Sequence, residues 1–264
     1  MNEITITPLG TVSPYCKGNM NCPGFLVKIN EEKILLDCGN GITRYLDLAK
    51  DLNNLTIIIS HLHKDHYGEL LSIAQSSYVY KRLGYLENKI KVYIPEYKKI
   101  IIENDCVIEK DLMEFNYLKE LEKIGYLEII PYNNNTKLSF IDMELTFSKN
   151  PHQIITYSTK LQTKGLKIVY SSDTGYYGNS LVTFAKDANL LICESTFLRG
   201  QTKSEDTHLF AYEAGLIAKK ANVEKLLLPH FWPVMEKQYY INEAKDYFDN
   251  VEAAIEGKVL RLKR

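Results

Sequence analysis

The chain has 264 residues, 45% hydrophobic and 25% charged, and this excludes disorder as the main state because the apolar content is enough to offset chain entropy. Lys plus Arg number 32 against 33 Asp plus Glu, a net charge of −1, so no global field draws the chain to nucleic acid, although a local basic patch is compatible with that balance. No run reaches the ~20 apolar residues of a membrane span, and Met1-Asn2-Glu3-Ile4-Thr5-Ile6-Thr7 lacks the basic head and apolar stretch of a secretory leader.

In chain order, Ile4–Leu9, Phe25–Ile29 and Ile34–Asp37 read as strands, the last two joined through Asn30-Glu31-Glu32-Lys33. A turn at Asp37-Cys38-Gly39-Asn40-Gly41 precedes an expected helix over Ile42–Lys50. Thr56–Ser60 reads as a buried strand because Ile57, Ile58 and Ile59 are consecutive and β-branched. A helix is expected after His66 through Leu70, Leu71, Ile73 and Ala74, then a strand at Lys91–Ile94. From Pro95 to Gly125 the chain turns helical and charged, with Asp111 as N-cap and Leu112, Phe115, Leu118 and Leu121 on one side. Strands are expected at Tyr126–Pro131, Leu138–Phe140, Glu144–Ser148, Ile154–Leu161, Leu166–Tyr170 and Leu190–Cys193. A helix opens near Thr207, a strand covers Lys225–Leu228, a last helix covers Tyr239–Phe248, and Lys258–Leu262 closes the chain.

Two blocks of strands with helices predict two sheets packed face to face with helices outside. One domain over residues 1–264 is expected, with a helical decoration at about 85–132. That Tyr-rich segment reads equally as a wall over the pocket or as a solvated surface. The cysteines Cys16, Cys22, Cys38, Cys106 and Cys193 form no CxxC pair and read as reduced, mostly buried thiols of a cytoplasmic protein. The turn at Leu9–Pro14 and the Cys16–Cys22 loop are expected near the mouth of any site.

His61, Asp173, Glu194 and His230 each fall just past the C-terminal end of an expected strand, where sites usually sit. Ser60-His61-Leu62-His63-Lys64-Asp65-His66 puts three imidazoles and a carboxylate in one turn between a buried strand and a helix. Imidazole is a neutral ligand for zinc, iron or copper, and a carboxylate beside it can hold a second ion or act as a base.

This segment resembles the signature of the metallo-β-lactamase superfamily. Asn150-Pro151-His152, Tyr170-Ser171-Ser172-Asp173-Thr174-Gly175 and Leu228-Pro229-His230-Phe231 resemble its later motifs in the right order. The resemblance implies an α/β fold, the metallo-β-lactamase αβ/βα four-layer sandwich of two mixed β-sheets with helices on the outer faces. It implies two divalent metal ions, zinc in the first place with manganese or iron also accommodated. One ion takes His61, His63 and His152; the other takes Asp65, His66 and His230; Asp173 bridges them. Asp37 resembles the family's supporting aspartate and reads equally as a turn residue.

Cys193-Glu194-Ser195-Thr196-Phe197, followed by Thr207-His208, resembles the ribonuclease Z-like, small-phosphodiesterase branch. There a glutamate, here Glu194, orients a histidine, here His208, that protonates the leaving oxygen, while Asp65 helps orient the nucleophile. The resemblance therefore implies a metal-dependent hydrolase acting on a small phosphodiester, such as a cyclic nucleotide or short nucleotide ester. The alternative is a lactone or thioester hydrolase using the same metals. Processing of tRNA 3′ ends is less favoured, because twenty residues between His152 and Asp173 leave no room for a tRNA-gripping arm there and the charge is not basic. No membrane partner is implied, and the resemblance brings a homodimer into consideration.

Overall fold

The computed structural model describes residues 3–96, 99–103, 106–110, 113–203 and 206–263. The chain opens with strands β1 (Ile4–Gly10), β2 (Gly24–Ile29) and β3 (Glu32–Leu36), paired antiparallel. Asn30, in the left-handed region at φ 51°, lets β2 and β3 turn within two residues, tighter than the four-residue link expected. β4 (Leu55–Ile58), β5 (Ile90–Pro95) and β8 (Leu127–Tyr132) extend this sheet in parallel, and β16 (Leu260–Leu262) pairs with β1, giving the order β16-β1-β2-β3-β4-β5-β8.

The second sheet runs β15-β14-β13-β12-β11-β10-β9, from Val251–Ala253, Leu226–Leu228, Leu190–Ile192, Lys167–Tyr170, Tyr157–Gln162, Glu144–Lys149 and Lys137–Ser139. Its β12 to β15 half is parallel. β4, β13 and β14 are buried on both faces, as strands of a covered parallel sheet should be.

Three apolar clusters separate four layers. Ile6, Phe25, Ile34, Leu161, Ile168 and Ile192 fill the space between the sheets. Ile57, Val92, Leu70, Ile73 and Leu118 seat α3 (Leu70–Arg82) and α4 (Met113–Ile124) on the first sheet. Leu191, Leu226, Ala214, Ile217, Tyr240 and Ala244 seat α6 (Ala211–Lys220) and α7 (Lys237–Lys245) on the second. This is the expected αβ/βα sandwich. Among the described residues no helix is long and apolar enough to cross a membrane.

Several elements differ from expectation. Residues 42–50 form a 3-10 turn (Ile42–Tyr45) and a single-turn α1 (Leu48–Asp51) on either side of extended Leu46. The Asp51 carboxylate accepts both the Asp47 N–H and the Lys28 ammonium, which holds the break. The stretch after Pro95 does not begin as a helix: β6 (Lys99–Glu103) and β7 (Cys106–Lys110) form an antiparallel hairpin, consistent with the β-branched Ile100-Ile101-Ile102 and Val107-Ile108. Residues 85–132 are therefore only partly helical, and β5 and β8 belong to the main sheet. The N-cap expected at Asp111, like Leu112 and the two ends Met1-Asn2 and Arg264, lies outside the described residues. A short α5 (Ser180–Phe184) and β15 were not expected.

The last strand residue of β1 fixes the path into the site. A Cβ on Gly10 would overlap the Cys22 carbonyl oxygen and stand 2.9 Å from that of Asn21. Gly10→Ala is expected to lower stability by about 1–3 kcal/mol, the usual cost of overpacking. A lower urea midpoint at unchanged denaturant slope would show it; an unchanged midpoint would mean that the loop can yield.

Candidate metal centre

Strand ends carry the site. Asp37 follows β3, His61 follows β4, His152 follows β10, Asp173 follows β12, Glu194 follows β13 and His230 follows β14. Crevices outside the carboxyl ends of parallel strands are where such sheets bind ligands. The one-turn α2 (Lys64–Tyr67) presents Asp65 and His66, and the His66 carbonyl accepts the Cys38 N–H at 2.7 Å.

Asp173 stands between two groups of nitrogens. Its Oδ2 is 3.5 Å from His61 Nε2 and 3.9 Å from His152 Nε2. His63 Nδ1 completes that group, 3.1 Å from His61 Nε2 and 3.3 Å from His152 Nε2. Asp173 Oδ1 is 3.3 Å from His66 Nε2 and 3.0 Å from His230 Nε2. Asp65 Oδ2 completes the second group, 3.6 Å from His66 Nε2 and 3.9 Å from His230 Nε2. All seven residues expected as metal ligands thus converge, and both groups have the donor set to hold an ion.

Tautomers follow from the outer hydrogen bonds. His66 Nδ1 meets the Asp37 carboxylate at 2.7 Å and His152 Nδ1 meets the Thr207 carbonyl at 2.9 Å; both partners only accept, so both Nδ1 atoms donate. The Thr196 hydroxyl donates to Glu194 Oε2 at 2.6 Å and accepts from His230 Nδ1 at 2.8 Å. Ser60 Oγ donates to Asp37 Oδ2 at 2.9 Å and accepts from His61 Nδ1 at 3.0 Å. Neutral rings so held carry bare lone pairs on Nε2. Lone pairs of His66 and His230 then face each other at 3.3 Å beside Asp173 Oδ1, a buried oxygen with no hydrogen-bond donor. A shared cation relieves that arrangement, so the residues present fit divalent metal.

Without a metal, the charges around His66 favour a proton in its place. Burial alone would lower the His66 pKa, yet Asp173, Asp65 and Asp37 outweigh it and hold the ring well above its ordinary value. A proton and a metal compete for that nitrogen. Burial lowers His61, His63 and His152, favouring neutral, ligating rings. Burial raises Asp173, but the surrounding His230, His66, His61 and His208 hold it well below the usual carboxylate range.

His208 sits beside both groups, its ring 5.0 Å from that of His152 and 5.4 Å from that of His230. It does not open a helix. Residues 207–208 form a bend, Glu194 accepts the Leu209 N–H, Phe210 bridges to Phe197, and α6 starts only at Ala211. Glu194 Oε1 lies 3.0 Å from His208 Nδ1. Asp173 Oδ2 is 3.9 Å from the same nitrogen, a geometry that could also count His208 as a ligand. The Glu194 bond commits His208 Nδ1 to donation, which argues against that nitrogen as a ligand. Burial opposes its protonation, but Glu194 and Asp173 raise its pKa to about 9.

Sequence reasoning missed several supporting groups. Ser13 Oγ donates to Asp65 Oδ2 at 2.7 Å. The Tyr170 hydroxyl donates to Asp37 Oδ2 at 2.6 Å, and Ser172 Oγ to Ser60 Oγ at 2.6 Å. Asn150 Nδ2 donates to the Ser171 and Asp173 carbonyls, fixing the aspartate's loop. Ser60, Asn150, Tyr170, Ser172 and Thr196 stand inside the quoted motifs and Ser13 in the Leu9–Pro14 turn, which is the signal that could have flagged their roles.

A family model described as "Anti-Pycsar protein Apyc1" matches residues 4–247. The "Probable metallo-hydrolase YhfI" of Bacillus subtilis is 26% identical over 226 residues, 85% of this chain and 86% of that protein. "Ribonuclease Z" of Borrelia hermsii is 31% identical over 318 aligned positions, 99% of this chain and 97% of that protein. The crystal structure of YhfI, a metallo-β-lactamase fold protein, has a TM-score of 0.83 at 22% identity, covering 99% of this chain and 100% of that one. A diphosphatase from the PhnP family has a TM-score of 0.72 at 15% identity, covering 98% and 97%. These two structures share the fold.

Two outcomes follow from the carboxylates behind the rings. Asp37→Asn, which tolerates the left-handed φ of 59° at that position, is expected to weaken divalent-metal affinity about 10–100-fold, measured by chelator competition. Glu194→Gln is expected to lower the His208 pKa from about 9, so that the ring is neutral over more of the range above pH 7. Imidazole NMR titration of the metal-free protein reads this directly.

Proposed function

The chain belongs to the anti-Pycsar Apyc1 family and is a metal-dependent hydrolase of the metallo-β-lactamase fold, and we propose that it hydrolyses a small phosphodiester such as a cyclic nucleotide or short nucleotide ester. The observation that carries this reading is the Glu194–His208 pair, 3.0 Å apart and beside both nitrogen groups. With its pKa near 9, His208 is protonated at neutral pH. An alkoxide leaves a phosphodiester poorly, so a positioned acid contributes typically about 10²–10⁴-fold. A thiolate leaves a thioester without such help.

We assign His61, His63, His152 and Asp173 Oδ2 to one ion, and Asp65, His66, His230 and Asp173 Oδ1 to the other. Zinc suits this histidine-rich set, and manganese or iron fit it too. When bound, such ions acidify a water and polarise the phosphoryl oxygens. Asp65, held by Ser13, orients the attacking water. Glu194 keeps His208 Nδ1 protonated, leaving Nε2–H as the proton for the leaving oxygen. Names among the relatives, a ribonuclease and a diphosphatase, support phosphorus as the attacked atom.

A tRNA substrate is less favoured. The interval from His152 to Asp173 is taken up by β11, a short turn and β12, which leaves no arm there to grip RNA. The reading places the protein in the cytoplasm as a single domain, free of any membrane partner.

The test compares leaving groups. His208→Ala is expected to keep both metals and lose about 10²–10⁴ of kcat on an unactivated alkyl diester, with a smaller loss on an aryl diester whose leaving group needs no proton. Asp65→Ala serves as the inactive control. Undiminished alkyl-diester turnover would remove the acid role. Cleavage of lactones or thioesters alone, indifferent to His208, would move the protein to the acyl-hydrolase reading.

A further inference from the structure

The loop between β1 and β2 carries a feature that hydrolysis does not use. Cys16 and Cys22 place their sulfurs 3.7 Å apart, in van der Waals contact. Cys16 is exposed, and Cys22 is buried. Between them Lys17 and Met20 exchange two backbone hydrogen bonds, with Gly18 at φ 58° turning a hairpin whose residues 14–19 are exposed. A disulfide needs sulfurs about 2.05 Å apart, so closing the pair requires movement of the exposed hairpin.

Both ends of this loop reach Asp65. On the N-terminal side, Ser13 Oγ donates to Asp65 Oδ2 at 2.7 Å. On the C-terminal side, Cys22 packs on Gly39: a Cβ there would stand 2.6 Å from the Cys22 carbonyl carbon, 2.8 Å from its Cβ, and would overlap the Asp65 carbonyl oxygen. Cys22, Gly39 and Asp65 are stacked with no slack. The Asn40 carbonyl adds a second tie, accepting from both Cys22 N–H and Cys16 Sγ.

We propose that Cys16 and Cys22 are a reversible disulfide site, oxidised by low-molecular-weight disulfides, whose closure displaces Asp65 and weakens the metal group it shares with His66 and His230. The Cys16 thiolate attacks one sulfur of the small disulfide, forming a mixed disulfide and releasing one small thiolate. The Cys22 sulfur gives up its proton and attacks Cys16 Sγ, forming the internal bond and releasing the second small thiolate. Two protein thiols are oxidised, and one small disulfide is reduced to two thiols. Cys38 and Cys193 are buried and remain reduced.

The regulatory half rests on Asp65 as a metal ligand, while the thiol chemistry does not. The experiment therefore reads thiols and metal, not substrate turnover. The full chain is treated with oxidised glutathione, mapped by peptide mass spectrometry, and titrated with zinc against a chelator before and after dithiothreitol. A Cys16–Cys22 crosslink with metal affinity lowered about 10–100-fold, the effect of losing an outer support, and restored by reductant is the expected result. Cys16→Ser should bind metal normally and ignore the oxidant. A glutathionyl group retained on Cys16 without the internal bond overturns the disulfide site. An internal bond that leaves metal affinity unchanged overturns the coupling to Asp65. Neither result touches the phosphodiesterase reading, which fails only on turnover.

Discussion

Asp173 offers one oxygen to each of two nitrogen groups, and the outer hydrogen bonds of His61, His66, His152 and His230 occupy Nδ1 and leave Nε2 facing it. Acceptors facing acceptors at 3.0–3.3 Å repel unless a cation lies among them. In water such a cluster would scatter or protonate. Here the His61, His66 and His230 rings are buried, and the cluster is fixed at the ends of strands that cannot separate without unpacking the core between the sheets. Metal affinity is therefore stored as an electrostatic mismatch that folding imposes.

Two buried carboxylates enforce that mismatch, and they work alike. Asp37 binds His66 directly and reaches His61 through the Ser60 hydroxyl. Glu194 binds His208 directly and reaches His230 through the Thr196 hydroxyl. Each sheet supplies one of them: Asp37 follows a strand of the first sheet and Glu194 a strand of the second. The metal group and the candidate acid thus share a scaffold, since Glu194 sets both the His230 tautomer and the charge of His208. Changes at Glu194 should register in proton transfer and in metal binding together.

Backbone conformation shows where the fold yields to the site. Asp37, Ser172 and His230 occupy the left-handed region at φ 59°, 51° and 68°, which costs non-glycine residues about 1–3 kcal/mol each. At His230 the conformation is held because the Thr11 carbonyl accepts both the His230 and Phe231 N–H groups. Thr11 belongs to the loop that carries Cys16 and Cys22. One loop between β1 and β2 therefore touches Asp65 at one place and the His230 turn at another, which makes it the part of the surface best placed to report on the metal groups.

What the sequence alone determined was local. The β-branched run before His61 and the spacing of His61, His63, Asp65 and His66 mark a strand, a turn and a ligand cluster, because period and turn chemistry are properties of neighbouring residues. Both sheets and most of their strands were legible for the same reason. The hairpin at Lys99–Lys110 was not, since its short β-branched runs are flanked by charges that suit a helix equally well. Tertiary structure alone decided which lone pair each imidazole offers, because that is set by partners as distant in sequence as Thr196 is from His230 or Thr207 from His152. It also decided that His208 precedes its helix: Glu194 claims the Leu209 N–H, and α6 starts only at Ala211. Spacing can name the donors of a metal site, but the direction of each hydrogen bond belongs to the fold.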